Sequence, residues 1–207
     1  MPLEIMNTGR EEMGKKLLIS CGIFQPEIEI LIARGAIKAD AIFLSKYLHL
    51  DYRKLHDALK ASLTRQRERK PVVVYGDLCL GFNNEMHALM AECGTVKVGG
   101  LNCIDCLLGG RGKLLDVDPD HHFFFLTPAF IEFSESLITG TKEENRRRFN
   151  MLKGIIIVDS LNDMELYRDR IEHFSNQTGL PVLDHRVVGL SGLKNVIEEA
   201  LQRSYQL

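Results

Sequence analysis

Three unbroken runs of apolar, β-favouring residues constrain the fold of this chain more than any other feature. They occupy residues 72–74, 123–126 and 155–158. A strand whose side chains are all apolar needs cover on both faces, as in a parallel sheet flanked by helices. The runs therefore predict an α/β protein built on a buried, mostly parallel sheet.

Weaker runs of the same kind bring the number of predicted strands to seven, and helical patterns lie between them. The strands are predicted at residues 17–22, 41–47, 71–76, 95–99, 122–126, 154–159 and 181–188, and the helices at 26–34, 52–69, 162–178 and 191–203. Leu55, Leu59 and Leu63 recur every four residues and so share one helix face, and Ser191 is expected to cap the last helix. This alternation predicts a three-layer sandwich with helices on both faces of the sheet.

The 207 residues are expected to form a single α/β domain, because no internal repeat or Pro/Gly-rich linker divides the chain. Residues 1–16 are interpreted as a polar N-terminal extension. Residues 128–152 are interpreted as a helical insertion that projects from the sandwich, with Phe149 and Met151 as contact residues for a partner chain. Whether the chain forms a homo-oligomer is left open.

The composition is that of an ordinary globular protein, with 45% hydrophobic and 26% charged residues and a net charge of −2. That charge gives no overall attraction to nucleic acid or to an anionic membrane. No run approaches the ~20 apolar residues of a membrane span, and the first 16 residues lack the apolar core of a signal peptide. We therefore expect a cytoplasmic protein with free cysteines, since disulfides are rare in a reducing compartment.

Four of the five cysteines lie just after predicted strands. They are Cys21, Cys79, Cys103 and Cys106. The carboxyl ends of parallel strands share one edge of the sheet, which is where ligands bind in such folds. The sequence therefore predicts a shared thiolate site at this edge, with the sulfurs of Cys21, Cys79 and Cys103 within about 8 Å of one another if they hold a metal. Cys93 is expected elsewhere, buried at the end of a helix.

Other interpretations of the cysteines remain open at this point. Free cysteine is among the most buried residue types, so four separate buried thiols are one alternative. The Cys-x-x-Cys spacing of Cys103 and Cys106 also occurs in redox dithiols, zinc sites and iron–sulfur sites. No second Cys-x-x-Cys is present, which argues against a zinc-ribbon module.

Several other residues beside the cysteines are candidates for binding and catalysis. Glycines leave room for a ligand to lie against the backbone, and the candidate cofactor-binding residues are Gly22, Tyr75, Gly76, Gly81, Asn102 and Gly109. Asp77 and Asp105 would cap helices or act as acid or base groups. His49 is the best non-sulfur ligand candidate. The expected pocket lies between residues 21–25, 75–82 and 99–106, with Thr127 and Pro128 on its rim.

These motifs together resemble the prokaryotic family catalogued as domain of unknown function 1638. The resemblance covers roughly residues 17–200 and rests on the sequence segments Cys21-Gly22, Tyr75-Gly76-x-x-Cys79, Asn102-Cys103-Ile104-Asp105 with the following Leu107-Leu108-Gly109, and residues 123–128. It implies an α/β fold with a three-cysteine core of Cys21, Cys79 and Cys103, because Cys106 lies outside the pattern. It implies no established activity. The family is similar in setting to proteins encoded beside corrinoid methyltransferase systems of anaerobes, which implies one-carbon metabolism and a corrinoid protein or methyltransferase as partner.

Three functions from different classes follow. The first is a metal-binding protein, with an Fe–S cluster or zinc on Cys21, Cys79, Cys103 and Cys106, because thiolates suit both centres and zinc-bound thiolates accept or donate methyl groups. The second is a metal-free enzyme with Cys103 as nucleophile and Asp105 as its acid or base. The third is a non-catalytic binding or assembly module. P-loop nucleotide hydrolysis and Gly-x-Ser-x-Gly hydrolase chemistry are not expected, because the chain lacks both motifs.

Overall fold

The computed structural model describes residues 15–206, and all seven expected strands are present within them. The expected N-terminal extension at residues 1–16 lies outside the described residues except for its last two. The strands are β1 Lys16–Cys21, β2 Ala39–Leu44, β3 Val72–Val74, β4 Val96–Lys97, β5 Phe123–Leu126, β6 Gly154–Asp159 and β7 Val182–Val187.

The strands form two parallel sheets. The first has the order β2-β1-β3-β4 and the second the order β5-β6-β7. The α/β class and the parallel pairing are confirmed, but the strands do not join into a single sheet. β4 pairs with β3 through only two residue pairs, Val72 with Val96 and Val73 with Lys97. A strand this short leaves little edge on which a further strand can pair.

Helices and short 3₁₀ turns connect the strands. The helices are α1 Gln25–Ala33, α2 Tyr52–Arg65, α3 Glu85–Cys93, α4 Cys103–Leu108, α5 Lys113–Val117, α6 Pro128–Ser134, α7 Lys142–Arg148, α8 Arg168–Thr178 and α9 Ser191–Ser204. The four predicted helices correspond to α1, α2, α8 and α9. A 3₁₀ turn, Met164–Tyr167, replaces the expected start of α8.

The expected cap at Ser191 is wrong. Leu190 occupies the N-cap position of α9 and makes no side-chain capping bond. The helix begins at Ser191, the first residue of the expected range, and Gly189 with φ of +65° lies just before the cap. Ser191 is therefore already inside the helix, where a side chain cannot cap as it does from the N-cap position.

One hydrophobic core extends across both sheets. Leu55, Leu59 and Leu63 of α2 are buried in it, as their spacing predicts, and so are Ile156 and Val158 of β6. The opposite face of β6 packs into a second cluster through its alternate residues. β6 is therefore covered on both faces, which explains why its sequence is an unbroken apolar run.

The segment at residues 128–152 contains α6 and α7. Phe149 is buried in the second cluster, where its ring meets Phe124 and Phe174 edge to face at centroid distances of 5.7 and 5.8 Å. Phe149 therefore stabilises the fold and is not a surface contact, whereas Met151 is 80% exposed. Within residues 15–206, no helix combines the length and apolar character that a bilayer crossing needs.

Candidate thiolate site

The loops after three strands of the first sheet bring four cysteines to one edge. Cys21 is the last residue of β1, and Cys79 lies in the 3₁₀ turn Asp77–Leu80 that follows β3. Cys103 begins α4, after β4, and Cys106 lies one turn further along that helix. All the strands are parallel, so these positions share the carboxyl edge of the sheet, as the sequence predicts.

Backbone contacts hold the loops after β3 and β4 together. The amide of Asp77 donates to the carbonyl of Gly100, and that of Leu78 to the carbonyl of Leu101, each at 2.9 Å. A Cβ atom on Gly76 would lie 2.5 Å from the Leu101 carbonyl oxygen. Only glycine permits this approach, and the approach sets the Cys79 loop against the start of α4.

Cys21 and His49 form the other side of the site. The Cys21 Sγ lies 3.6 Å from the His49 Nδ1 and accepts a hydrogen bond from the Ile23 amide at 3.4 Å. The His49 ring stacks on Tyr75 with centroids 5.9 Å apart. Burial lowers the pKa of His49, so the ring is neutral at pH 7. Neutral imidazole is the form that binds metals.

A cavity of about 240 Å³ opens between these loops and α6. Cys79, Cys103 and His49 face it, and apolar and aromatic side chains form most of the remaining wall. The remaining lining residues are Ile23, Lys46, Tyr52, Leu78, Asn102, Phe130 and Phe133. The three expected loops all contribute. Thr127 and Pro128 are not among the lining residues, because Thr127 caps α6 and the helix presents Phe130 and Phe133 instead.

Burial raises the pKa of all four thiols. It raises the pKa of Cys21 to about 12, that of Cys79 to about 11 and that of Cys106 to about 12, and it raises the pKa of Cys103 well above its usual value. Negative charge on Cys79 would raise the pKa values of the other three further. The thiols are therefore near enough to act on one another, and without a cation they are protonated at neutral pH.

The side chains are not arranged around a metal ion as they stand. Among the described residues, no group of three or more His, Cys, Asp or Glu side chains has the geometry of a metal site. Cys106 is also set apart from the cavity, since it is fully buried and lies against Gly100, where an added Cβ would be 2.7 Å from its Sγ.

Tyr75 places a buried polar group in this region. Its hydroxyl has the Cys21 thiol as its hydrogen-bond neighbour, although the two groups do not meet full hydrogen-bond geometry. Burial raises the pKa of Tyr75 above its usual value. Negative charge on Cys21 or Cys79 would raise it further, since both thiols lie near the hydroxyl. The phenol therefore keeps its proton and is a potential donor to a thiolate beside it.

Asp105 and Asn102 hold α4 in place. The Asp105 carboxylate accepts hydrogen bonds from the backbone amides of Leu101 at 2.9 Å, Gly112 at 3.2 Å and Leu114 at 2.7 Å. The Asn102 Oδ1 caps the helix by accepting from the Asp105 amide at 3.0 Å. These bonds account for the complete burial of Asp105, which is not among the residues that line the cavity. They favour the capping interpretation over an acid or base role.

A buried lysine beside the thiols was missed by the sequence interpretation. The Lys97 Nζ lies 2.5 Å from the Asp77 Oδ1, and Arg111 contacts the other Asp77 oxygen. The charge of Lys97 lowers the pKa values of Cys79 and Cys106, although burial outweighs it. The sequence feature that could have indicated its burial is its position inside a short apolar strand, between Val96 and Val98 and just before Gly99 and Gly100.

The remaining candidates have local structural roles. A Cβ on Gly22 would lie 3.0 Å from the Leu44 carbonyl oxygen, and Gly81 and Gly109 have φ values of +129° and +107°. Cys93 is half-buried at the end of α3, where Glu92 and Lys60 are the charged neighbours that affect its pKa. It is therefore separate from the other four cysteines, as expected, but it is half-buried where full burial was expected.

The fold and the site define a parallel α/β protein with four thiols, two buried and two half-buried, at the carboxyl edge of one sheet. The chain belongs to the family described as Protein of unknown function (DUF1638), whose profile matches residues 43–197. This confirms the resemblance seen in the motifs. The matched segment contains His49, Cys79, Cys103 and Cys106, and Cys21 lies before it. The chain matches no curated protein and no solved structure.

Proposed function

We propose that this protein binds a soft metal centre, Zn²⁺ or an iron–sulfur cluster, through Cys21, Cys79 and Cys103. The observation that carries the proposal is the convergence of thiols from three separate strand ends beside one cavity. One buried cysteine needs no explanation beyond packing. Three from different loops, with a neutral histidine among them, form a set of ligands that both centres accept.

The protonation state of the thiols favours a metal over the metal-free alternative. A cysteine nucleophile without metal needs a lowered pKa, because the thiolate is the reactive form. Burial instead raises the pKa of Cys103 and that of Cys79. A bound cation reverses this balance, since a thiol that coordinates a metal loses its proton.

The fourth coordination position would be open or filled by His49. His49 is already 3.6 Å from the Cys21 sulfur. Because no three of the described donors are yet at coordinating separations, the side chains would close around the ion when it binds. Three thiolates and one exchangeable position facing a cavity are the arrangement of a catalytic zinc site or of a cluster with one unusual ligand.

The wider setting of the proposal comes from the family resemblance. We place the metal centre in cytoplasmic one-carbon metabolism, with a corrinoid protein or methyltransferase as partner. All five cysteines are free, which agrees with a reducing compartment. A metal-bound thiolate is also a suitable acceptor or donor of a methyl group.

Metal analysis of cysteine variants tests the proposal. We expect the anaerobically purified protein to contain about one zinc or one cluster per chain, and we expect Cys79→Ser and Cys103→Ser to lower that content at least about fivefold. Serine is a poor ligand for soft metals. Cys93→Ser is the matched control and should retain full metal content. Equal metal content in all five single variants would leave burial as the explanation of the thiols.

A further inference from the structure

Strand β7, at the edge of the second sheet, is far more exposed than the strand beside it. All six residues of β6 are buried, whereas β7 contains no buried residue. Its three apolar side chains are among the exposed ones, with Val182 at 42%, Leu183 at 55% and Val187 at 58%. Exposed apolar side chains gathered on one short element are typical of a surface that another chain covers.

The outer backbone edge of β7 is free to pair. Among the described residues, β6 is the strand that pairs with β7, and no strand lies on the other side of β7. The Val188 amide donates to the Asp159 carbonyl at 2.9 Å, so the backbone groups of Val188 point toward β6. Because these groups alternate in direction along a strand, those of His185 and Val187 point away from β6. A row of such groups is a template on which a further strand can pair.

The side chains of β7 are complementary to those of a second β7 strand that runs in the opposite direction. When a two-fold axis passes through His185, residue 184 of each copy lies opposite residue 186 of the other. The Asp184 carboxylate of each copy then faces the Arg186 guanidinium of the other. Val182 and Leu183 at one end of the strand lie opposite Val187 at the other end. Cross-strand pairs of opposite charge and of apolar side chains both stabilise an antiparallel pair.

The two charged residues also select this register. An axis at Asp184 would place the two Asp184 side chains opposite each other, and an axis at Arg186 would do the same with the two arginines. Like charges directly opposite destabilise a strand pair. An axis at His185 avoids both arrangements, and it also brings together the outward-facing backbone groups of the two His185 residues, which can then exchange two hydrogen bonds.

Charged residues on an edge strand can instead keep other strands away. That effect depends on charges that repel a second copy. Here the charges have opposite signs, and within one chain the Arg186 Nε lies 2.6 Å from the Asp184 Oδ2. The same ion pairs can form between two copies, so these residues do not exclude a second β7 strand.

We propose that the protein forms a symmetric dimer in which β7 pairs antiparallel with β7 of a second copy, with the two-fold axis at His185. The two three-stranded sheets then form one continuous sheet of six strands. The proposal is independent of any metal, because the cysteines lie at the edge of the other sheet.

Charge reversal tests the register. Arg186→Asp places aspartates opposite each other at both charged pairs, and Asp184→Arg places arginines there. We expect each variant alone to weaken the dimer at least about tenfold in sedimentation equilibrium, which corresponds to about 1.4 kcal/mol. An equal mixture of the two variants should form a heterodimer about as tight as the original dimer, because each aspartate again faces an arginine.

Asp116→Arg is the matched control for charge reversal. It changes an exposed carboxylate on α5, where Lys113 is its partner, and should leave dimerisation unchanged. Circular dichroism shows whether each variant folds.

Hydrogen exchange provides a reading on the original protein that does not depend on any variant. The amides of His185 and Val187 should exchange at least about tenfold more slowly in the dimer than in the dilute monomer, because pairing protects them. The Val188 amide, which is already bonded to β6, should change far less.

Three results would overturn the proposal. One is a protein that stays monomeric up to millimolar concentration. Another is a dimer that both charge reversals leave intact, since a different face would then join the copies. The third is a pair of folded variants that do not associate when mixed. If a variant does not fold, the exchange of the His185 and Val187 amides decides, and exchange that does not slow as the dimer forms rejects the β7 interface.

Discussion

Gly76 is the residue on which the approach of two site loops depends. An added Cβ would lie 2.5 Å from both the Leu101 oxygen and the Asn102 Cα, which are backbone atoms that cannot rotate away. We expect Gly76→Ala to lower the free energy of unfolding by about 2–3 kcal/mol, as overpacking of a rigid site does, and to lower metal content with it. Chemical denaturation and metal analysis measure the two effects.

Gly99→Ala is the matched control for this substitution. Gly99 has no heavy atom within 4 Å of the position that a Cβ would take, and its φ is not positive. The free energy of unfolding of the Gly99→Ala variant should differ from that of the original protein by less than about 0.5 kcal/mol, as for substitutions at sites without special features. Equal effects of the two substitutions would mean that Gly76 has no special role in joining the loops.

The sequence predicted where the cysteines lie in the fold, but it did not predict that Lys97 is buried beside them. Four of the five cysteines lie at or after the end of a recognisable strand, so their positions could be predicted from the local pattern and the rule for parallel sheets. The burial of Lys97 depends on Asp77 in another loop. Lysine is almost never fully buried unless it is paired, and local sequence does not show the partner.

At the scale of elements, α4 depends on Asp105. The three backbone amides bonded to its carboxylate lie on both sides of the helix, in Leu101, Gly112 and Leu114. We expect Asp105→Ala to destabilise the protein by about 3–5 kcal/mol, because it leaves buried amides without partners. Thermal or urea denaturation measures this effect.

Asp120→Ala is the control for the loss of a carboxylate, since the Asp120 side chain is 75% exposed. This substitution should leave the free energy of unfolding nearly unchanged. If Asp105→Ala kept full stability but lost all activity once an assay exists, the catalytic role would replace the structural one.

The strands were easier to predict than the helices near the site. All seven strands could be located from runs of β-favouring residues, although β4 is two residues long where five were expected. α4 and α5 have six and five residues, too few to show a helical period in sequence. Their ends depend on long-range bonds such as those of Asp105, which local patterns do not contain.

At the scale of the whole molecule, the division into two sheets could not be predicted. The apolar runs indicate buried parallel strands, but they do not specify which strands pair. The α/β class followed from the alternation of elements, whereas the pairing depends on the short β4 and on a core that joins β6 to the first sheet. The cavity walls depend on that arrangement too, because Phe130 and Phe133 follow β5 of the second sheet.

The buried thiols predict how the stability of the metal-free protein depends on pH. Their folded pKa values, about 12 for Cys21 and about 11 for Cys79, lie above the ordinary value of 9.0. The unfolded chain therefore loses thiol protons first as the pH rises. Stability is fully present below about pH 9 and falls between pH 9 and 11, with a slope of about 1.4 kcal/mol per pH unit for each thiol in that window.

Urea denaturation of the metal-free protein from pH 8 to 10.5 measures this slope. Cys79→Ser should make it shallower by about 1 kcal/mol per pH unit, because one of the contributing thiols is gone. An unchanged slope in this variant would show that Cys79 titrates normally in the folded protein.

X-ray absorption spectroscopy of the anaerobically purified protein tests the central claim most directly. We predict about one metal centre per chain with three protein sulfurs, at about 2.3 Å if the metal is zinc, and loss of one sulfur from that shell in any metal retained by Cys103→Ser. The spectrum also separates zinc from an iron–sulfur cluster by its absorption edge. Protein purified without metal that also fails to take up zinc or iron, or a metal surrounded only by nitrogen and oxygen, would contradict the account.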